Sequence, residues 1–158
     1  MNKVYLLLGG NLSDPFQQLL IARKKIAGVA NVILESSIYK TKAWGKTDQP
    51  DFLNQVLLIE TPLGAEDTLQ QMLAIENSMG RVRSQKNAPR LIDIDILFYN
   101  SEIVHKKNLS IPHPSIAERR FVLVPLSEIA PDHIHPVSGL SIAELLRDCE
   151  DTLQVKRY

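Results

Sequence analysis

Four cations and two carboxylates crowd into one stretch, R-V-R-S-Q-K-N-A-P-R-L-I-D-I-D-I-L-F, from Arg81 to Phe98. Its second half has the two-residue period of a β-strand. That period predicts Ile92, Ile94, Ile96 and Phe98 on one face and Asp93, Asp95 and Leu97 on the other. The two carboxylates then stand side by side, about 7 Å apart at Cα. Unpaired carboxylates that close repel, and burial strengthens the repulsion. Something cationic belongs between them: a divalent metal, or the side chains of Arg81, Arg83, Lys86 and Arg90 that lead in. The pattern suits a magnesium–polyphosphate complex, because carboxylates hold a hard cation through oxygen and guanidinium forks clamp phosphate. The plainer alternative is a solvated loop ahead of a strand with two salt-bridged aspartates. Aspartate is poorly suited to an Ile/Leu strand, and two on one face weigh towards a site.

The elements that must position this stretch can be read from periodicity and capping. Val4 to Leu8 predicts a buried strand that ends at Gly9-Gly10-Asn11. Ser13 is the expected N-cap of the next helix, with Pro15 in its first turn and Gly28 stopping it. The glycine turn could hold a phosphate, but it lacks a lysine at P-loop spacing, and a strand-to-helix turn explains it equally well. Val32 to Tyr39 and Asn54 to Glu60 predict two more strands. The long segment between them carries Trp44 and Phe52 beside Thr41, Asp48 and Gln49, groups suited to a flat heteroaromatic ligand or to a loop tucked down by its own rings. Ala65 to Met79 reads as a helix with acidic residues in its first turn, ended by Gly80. Its apolar stripe includes Glu76, an inward carboxylate that needs a partner; Arg81 and Arg83 are the nearest candidates. The order is βαββαβ, a ferredoxin-like α+β core: an antiparallel sheet with both helices on one face and C-terminal additions beyond.

In those additions, Glu102 to His105 suggests a short edge strand, and I-P-H-P holds His113 between two prolines. Ser115 to Glu118 and Ser141 to Glu144 both have the capping-box pattern. Phe121 to Ile129 is apolar and interrupted by Pro125. His133 and His135 suggest a metal pair but lack a third ligand. The tail beyond Asp148 is expected to fray.

The chain has 158 residues, 44% of them hydrophobic and 23% charged, so a single domain over 1–158 is expected. Its formal net charge of zero argues against a broad nucleic-acid or anionic-membrane surface. One cysteine, Cys149, excludes an internal disulfide and a cysteine-based zinc site. The N-terminus lacks a signal-peptide pattern, and no apolar run approaches a membrane span, so a soluble cytoplasmic protein is expected.

Taken together, G-R-V-R (Gly80 to Arg83), P-R-x-x-D-x-D (Pro89 to Asp95), D-Q-P-D-F-L-N (Asp48 to Asn54) and I-P-H-P (Ile111 to Pro114) resemble the 6-hydroxymethyl-7,8-dihydropterin pyrophosphokinases (HPPK) of folate biosynthesis. The resemblance runs from the first strand to about Pro131. It implies transfer of the β,γ-diphosphate of ATP to the hydroxymethyl oxygen of the pterin, with AMP as the other product. It also implies two Mg²⁺ ions held by Asp93 and Asp95, and Arg81 and Arg90 as catalytic cations. ATP would be bound by Leu69, Glu76, Arg81, Arg83, Lys86, Arg90, Ile96, Ser110, His113 and Arg119. The pterin would lie between Phe52 and Phe121, read by Asn54 with Thr41, Ala43 and Trp44. The implied partners are the two small-molecule substrates, with no nucleic acid, no membrane and a monomeric chain. The sequence departs from the family pattern in the arginine-rich loop, which is one residue shorter and has Lys86 and Asn87 where tryptophan is common. Ser84 stands where lysine often follows the second arginine, Pro114 replaces tyrosine, and G-G-N replaces G-S-N. Two rival readings are a ferredoxin-like domain that binds a ligand or RNA without turnover, and a magnesium-dependent phosphoesterase.

Overall fold

Strand β1 (Asn2–Gly10) runs through the interior of the sheet, paired antiparallel with β4 (Phe52–Thr61) on one side and β5 (Asp93–Tyr99) on the other. A computed structural model describes residues 1–42, 50–80 and 91–158 of the chain. Helix α1 (Pro15–Ala27) follows β1, and α2 (Ala65–Ser78) follows β4. Both pack on one face of the sheet, where Val4, Leu6, Leu8, Leu57, Ile59, Ile94 and Ile96 meet Leu19, Ile26, Met72 and Ile75. This is the expected βαββαβ arrangement, with β2 (Asn31–Glu35) and β3 (Tyr39–Thr41) both hydrogen-bonded to β4.

The sheet's opposite face is covered over part of its area by the C-terminal additions. Helices α3 (Arg120–Ile129) and α4 (Ile142–Asp148) bury Val122, Leu123, Leu126, Ile142 and Leu145 against Leu7, Val56, Leu97 and Phe98. The part left uncovered is a cleft. No helix among the described residues is long and apolar enough to cross a membrane.

Several local features differ from the periodic reading, each for an identifiable reason. The expected strand from Val32 to Tyr39 is two strands. Between them the Ser36 hydroxyl accepts from the Val56 amide at 2.9 Å and donates to the Ser37 carbonyl at 2.7 Å, in place of a regular ladder. Phe98 lies with Leu97 on the second face, not with Ile92, Ile94 and Ile96, because a bulge lets β5 advance two residues while β1 goes from Leu6 to Tyr5. The cap of α1 is Asp14, one residue after Ser13, and its carboxylate accepts from the Gln17 amide at 3.4 Å. Strand β6 (Val104–Lys106) pairs with β7 (Leu109–Ile111) in a separate hairpin. The Ser115 segment forms only a 3₁₀ turn, Ile116–Glu118, without a side-chain cap, whereas the Ser141–Glu144 capping box forms in full. The tail does not fray: β8 (Lys156–Arg157) pairs with β3, and Tyr158 stacks on Phe16 at 5.4 Å.

Candidate active site

Asp93 and Asp95 project from β5 into the uncovered part of the second face, as their spacing requires. Both are partly buried, and both make further polar contacts. Among the described residues the strand that carries them lies at one edge of the sheet, so its outward backbone groups need partners from elsewhere. Glu76 supplies one: its buried carboxylate accepts from the Ile94 amide, between the two aspartates, at 2.6 Å. The I-P-H-P segment supplies another, where the His113 amide donates to the Leu97 carbonyl at 3.0 Å. That hydrogen bond also brings the His113 ring into the cleft.

The cleft holds about 760 Å³ of free space, part of it open to solvent, and Asp93 and Asp95 share it with Thr41, Phe52, Asn54, His113, Arg119 and Phe121. Eight of the residues named from the sequence therefore meet in one place. Leu7, Lys42, Leu97, Ser115 and Val122 line it as well, none of them marked as a site residue by the sequence, and so does Gly9 of the glycine turn. Gly9 has a clear steric role. A Cβ there would sit 2.2 Å from Asn54 Nδ2, so this glycine makes room for the Asn54 side chain. Asn54 Nδ2 donates to the Leu8 carbonyl at 3.2 Å, which fixes the orientation of the amide and leaves Asn54 Oδ1 buried without a hydrogen-bond partner among the described residues. A buried orphan acceptor beside two aromatic rings calls for an N–H or O–H donor on a flat ligand. The glycine turn is thus part of the strand, and Asn11 beyond it anchors the Pro50 carbonyl at 3.0 Å.

In the same cleft, the Arg119 guanidinium lies 5.8 Å from the centre of the Phe121 ring. Burial, and then the charge of Arg119, push the His113 imidazole below its usual pKa, so it is neutral at pH 7. Its Nδ1 accepts from the Ser115 amide at 3.2 Å, which places the proton of the neutral ring on Nε2. His113 can therefore donate one hydrogen bond to an oxyanion without carrying a charge of its own.

The two strand carboxylates are hard oxygen donors. Among the described residues no three His, Cys, Asp or Glu side chains cluster as a metal cage. Two carboxylates with room for water and phosphate oxygens is the donor set Mg²⁺ favours, so the residues present fit a metal that arrives with a polyphosphate. Leu69 and Ile96 pack in or against the first core, and Ser110 is exposed on β7, all outside the aspartate cleft. Leu69 lines a second depression with Gln70 and the hairpin residues Lys106 to Leu109. Arg81, Arg83, Lys86, Arg90, Ala43 and Trp44 lie outside the described residues. His133 and His135 meet the Phe98 ring edge-on, with centroids 4.5 and 5.6 Å away, and no third metal-ligating side chain joins them among the described residues.

Comparison with known proteins agrees with this geometry. Residues 5–131 match the model of the family described as 7,8-dihydro-6-hydroxymethylpterin-pyrophosphokinase (HPPK). A 2-amino-4-hydroxy-6-hydroxymethyldihydropteridine pyrophosphokinase of Haemophilus influenzae is 42% identical over 158 residues, covering 99% of this chain and 98% of the relative. A Synechocystis protein of the same name is 40% identical, covering 92% of this chain and 75% of its own length. In the structure of a Plasmodium falciparum HPPK-DHPS, 44% of that longer chain superposes on 92% of this one, with a TM-score of 0.76 and 18% identity, which speaks to the fold. The chain belongs to the 7,8-dihydro-6-hydroxymethylpterin-pyrophosphokinase family.

Proposed function

We propose that this chain performs its family's reaction in the cleft on the second face of the sheet. It transfers diphosphate from ATP to the hydroxymethyl group of 6-hydroxymethyl-7,8-dihydropterin, with release of AMP and the pterin diphosphate in folate biosynthesis. The observation that carries this reading is the meeting of two halves in one cleft: the Asp93–Asp95 pair, and the Phe52–Phe121–Asn54 wall with its orphan acceptor.

The flat pterin stacks between Phe52 and Phe121, and its donor edge satisfies Asn54 Oδ1. Thr41 and the backbone of Ala43 and Trp44 add polar contacts to the same edge. This orientation points the hydroxymethyl group at the aspartates. Asp93 and Asp95 would hold the two Mg²⁺ ions that arrive with ATP, whose charge would offset that of the phosphates. The chain's own work is to position and to donate. Arg81, Arg83, Lys86 and Arg90 clamp the phosphates, with Arg81 and Arg90 on the group in flight. His113 donates from Nε2 to a phosphate oxygen, and Arg119 adds a fixed charge beside it. Glu76 holds the β5 backbone from behind, so Asp93 and Asp95 keep their spacing. Leu69, Ile96 and Ser110 border the adenosine. The whole chain, 1–158, works as one domain, as a cytoplasmic monomer.

A phosphoesterase would need a further group beside the aspartates to activate water. A ligand-binding module would need no metal-ligating pair. The test is an incubation with ATP and Mg²⁺, with and without the hydroxymethyl pterin. AMP formed in step with pterin consumed supports the proposal. ADP, or phosphate released without pterin, overturns it.

A further inference from the structure

The carboxylate of Glu128, near the end of α3, collects donors from the far side of the cleft. The Ser37 amide donates to its two oxygens at 3.0 and 3.1 Å, the Ser37 hydroxyl donates at 3.0 Å, and the Tyr39 phenol donates at 2.6 Å. The Arg157 guanidinium of β8 stands 4.0 Å away. None of these groups lines the cleft. The elements they join do. Helix α3 carries Phe121 in its first turn, and β3, which begins at Tyr39, ends at Thr41 and pairs with Phe52 and Asn54.

One carboxylate thus bridges the two walls between which a flat ring would stack. Dispersion contact is steep in distance: a gap of about 0.5–1 Å forfeits roughly a quarter to a half of the attraction. A cleft for a planar substrate therefore depends on the spacing of its walls as much as on the rings themselves. Behind β3, strand β8 pairs Lys156 with Lys40 and Arg157 with Tyr39, and the Tyr158 amide donates to the Ile38 carbonyl at 2.9 Å. The C-terminal residues back the strand that Glu128 holds from the front.

We propose that Glu128 is a positioning residue for the pterin cleft, tying the Phe121 wall to the Thr41–Phe52 wall with the C-terminal strand as its backing. This rests on the reading that Phe52 and Phe121 stack the pterin. The charge state agrees with the geometry. Burial alone would raise the Glu128 pKa, but the hydrogen bonds from Tyr39 and Ser37 and the charge of Arg157 outweigh it and hold the carboxylate ionised at neutral pH. An ionised carboxylate can accept from all of these donors at once, which a glutamine cannot.

The experiment is steady-state kinetics on Glu128→Gln, Tyr39→Phe and Phe121→Ala, with KM for pterin and for ATP measured separately and folding checked by circular dichroism. Glu128→Gln is expected to raise the pterin KM about 5–20-fold, and Tyr39→Phe about 3-fold, with kcat and the ATP KM within twofold of the parent. Should Glu128→Gln fail to fold, Tyr39→Phe alone decides by the same criterion. A pterin KM unmoved in these two variants, while Phe121→Ala raises it, overturns the positioning role and leaves the stacking reading intact. Equal rises in both KM values mark a general structural role and also overturn it. Phe121→Ala without effect on the pterin KM overturns the stacking reading and the positioning role together.

Discussion

Gly9 and Asn54 show how closely strand and site are fitted. The glycine is needed because an amide side chain occupies the space its Cβ would fill, and the amide in turn is oriented by the Leu8 carbonyl. Gly9→Ala must displace Asn54 and break that hydrogen bond. We expect it to cost about 1–3 kcal/mol of stability and to weaken pterin binding about tenfold or more, with ATP binding unchanged. Thermal melts and separate calorimetric titrations of the two ligands would check this. At this scale the sequence is informative only where chemistry forces an unusual residue. Asp93 and Asp95 stand out because carboxylates in an Ile/Leu strand have no packing reason to be there. Glu76 is legible as an inward carboxylate, but one of its partners is the Ile94 amide, and a backbone group leaves no mark in a residue pattern; Arg81 and Arg83, the candidates its position suggested, lie outside the described residues. The steric role of Gly9 depends on a neighbour 45 positions away and is equally invisible in a local reading.

Elements follow their sequence signals where the signals are local. Both core helices and the strands carrying the aspartates and Asn54 form where periodicity puts them, with the cap of α1 one residue later than expected, and the second capping box forms as its pattern predicts. In that box the Ser141 hydroxyl accepts from the Glu144 amide at 3.1 Å, and the Glu144 carboxylate accepts from the Ser141 amide at 3.1 Å. Ser141→Ala should therefore lower stability by about 0.5–2 kcal/mol and leave turnover alone, since α4 faces the second core and lines none of the cleft. Denaturant melts with a parallel AMP assay test both halves. Elements depart from the periodic reading where a tertiary contact overrides it. The bulge in β5 moves Phe98 to the second face, where its ring packs edge-on against His133 and Tyr5. Truncating Phe98 to alanine should cost about 3–5 kcal/mol, as a lost core side chain rather than a lost ligand contact. Pro125 sits inside α3 although a proline normally ends a helix, because the apolar face of α3 is buried against the sheet. The pairing of β8 with β3 joins the chain's end to an edge near the cleft, a contact between residues more than a hundred positions apart.

For the molecule as a whole, the sheet has one face for stability and one face shared between a second core and the reaction. That division explains how two titratable histidines come to lie in apolar packing. His133 and His135 flank Phe98, and burial lowers the pKa of each; for His133 the charge of His135 lowers it further. His113 is lowered by burial and then by Arg119. A histidine with a folded pKa below its unfolded value of about 6.5 binds fewer protons when folded. Its stability contribution is therefore complete above about pH 6.5 and is lost as pH falls through the folded pKa. The melting temperature should drop between pH 7.5 and pH 5. His133→Phe, which keeps a ring in the packing and removes the buried nitrogen that lacks a partner among the described residues, should make the drop smaller.

The family's reaction and the cleft's two halves converge on one claim, that the Asp93–Asp95 pair and the Phe52–Phe121–Asn54 wall form a single transfer site. The most direct measurement pairs AMP formation with pterin binding for Asp95→Ala. The expected result is AMP formation reduced about 10²–10³-fold or more, with pterin affinity in calorimetry within about twofold of the parent, because the substitution removes a ligand for charge and no stacking surface. Near-normal AMP formation by that variant would contradict the account.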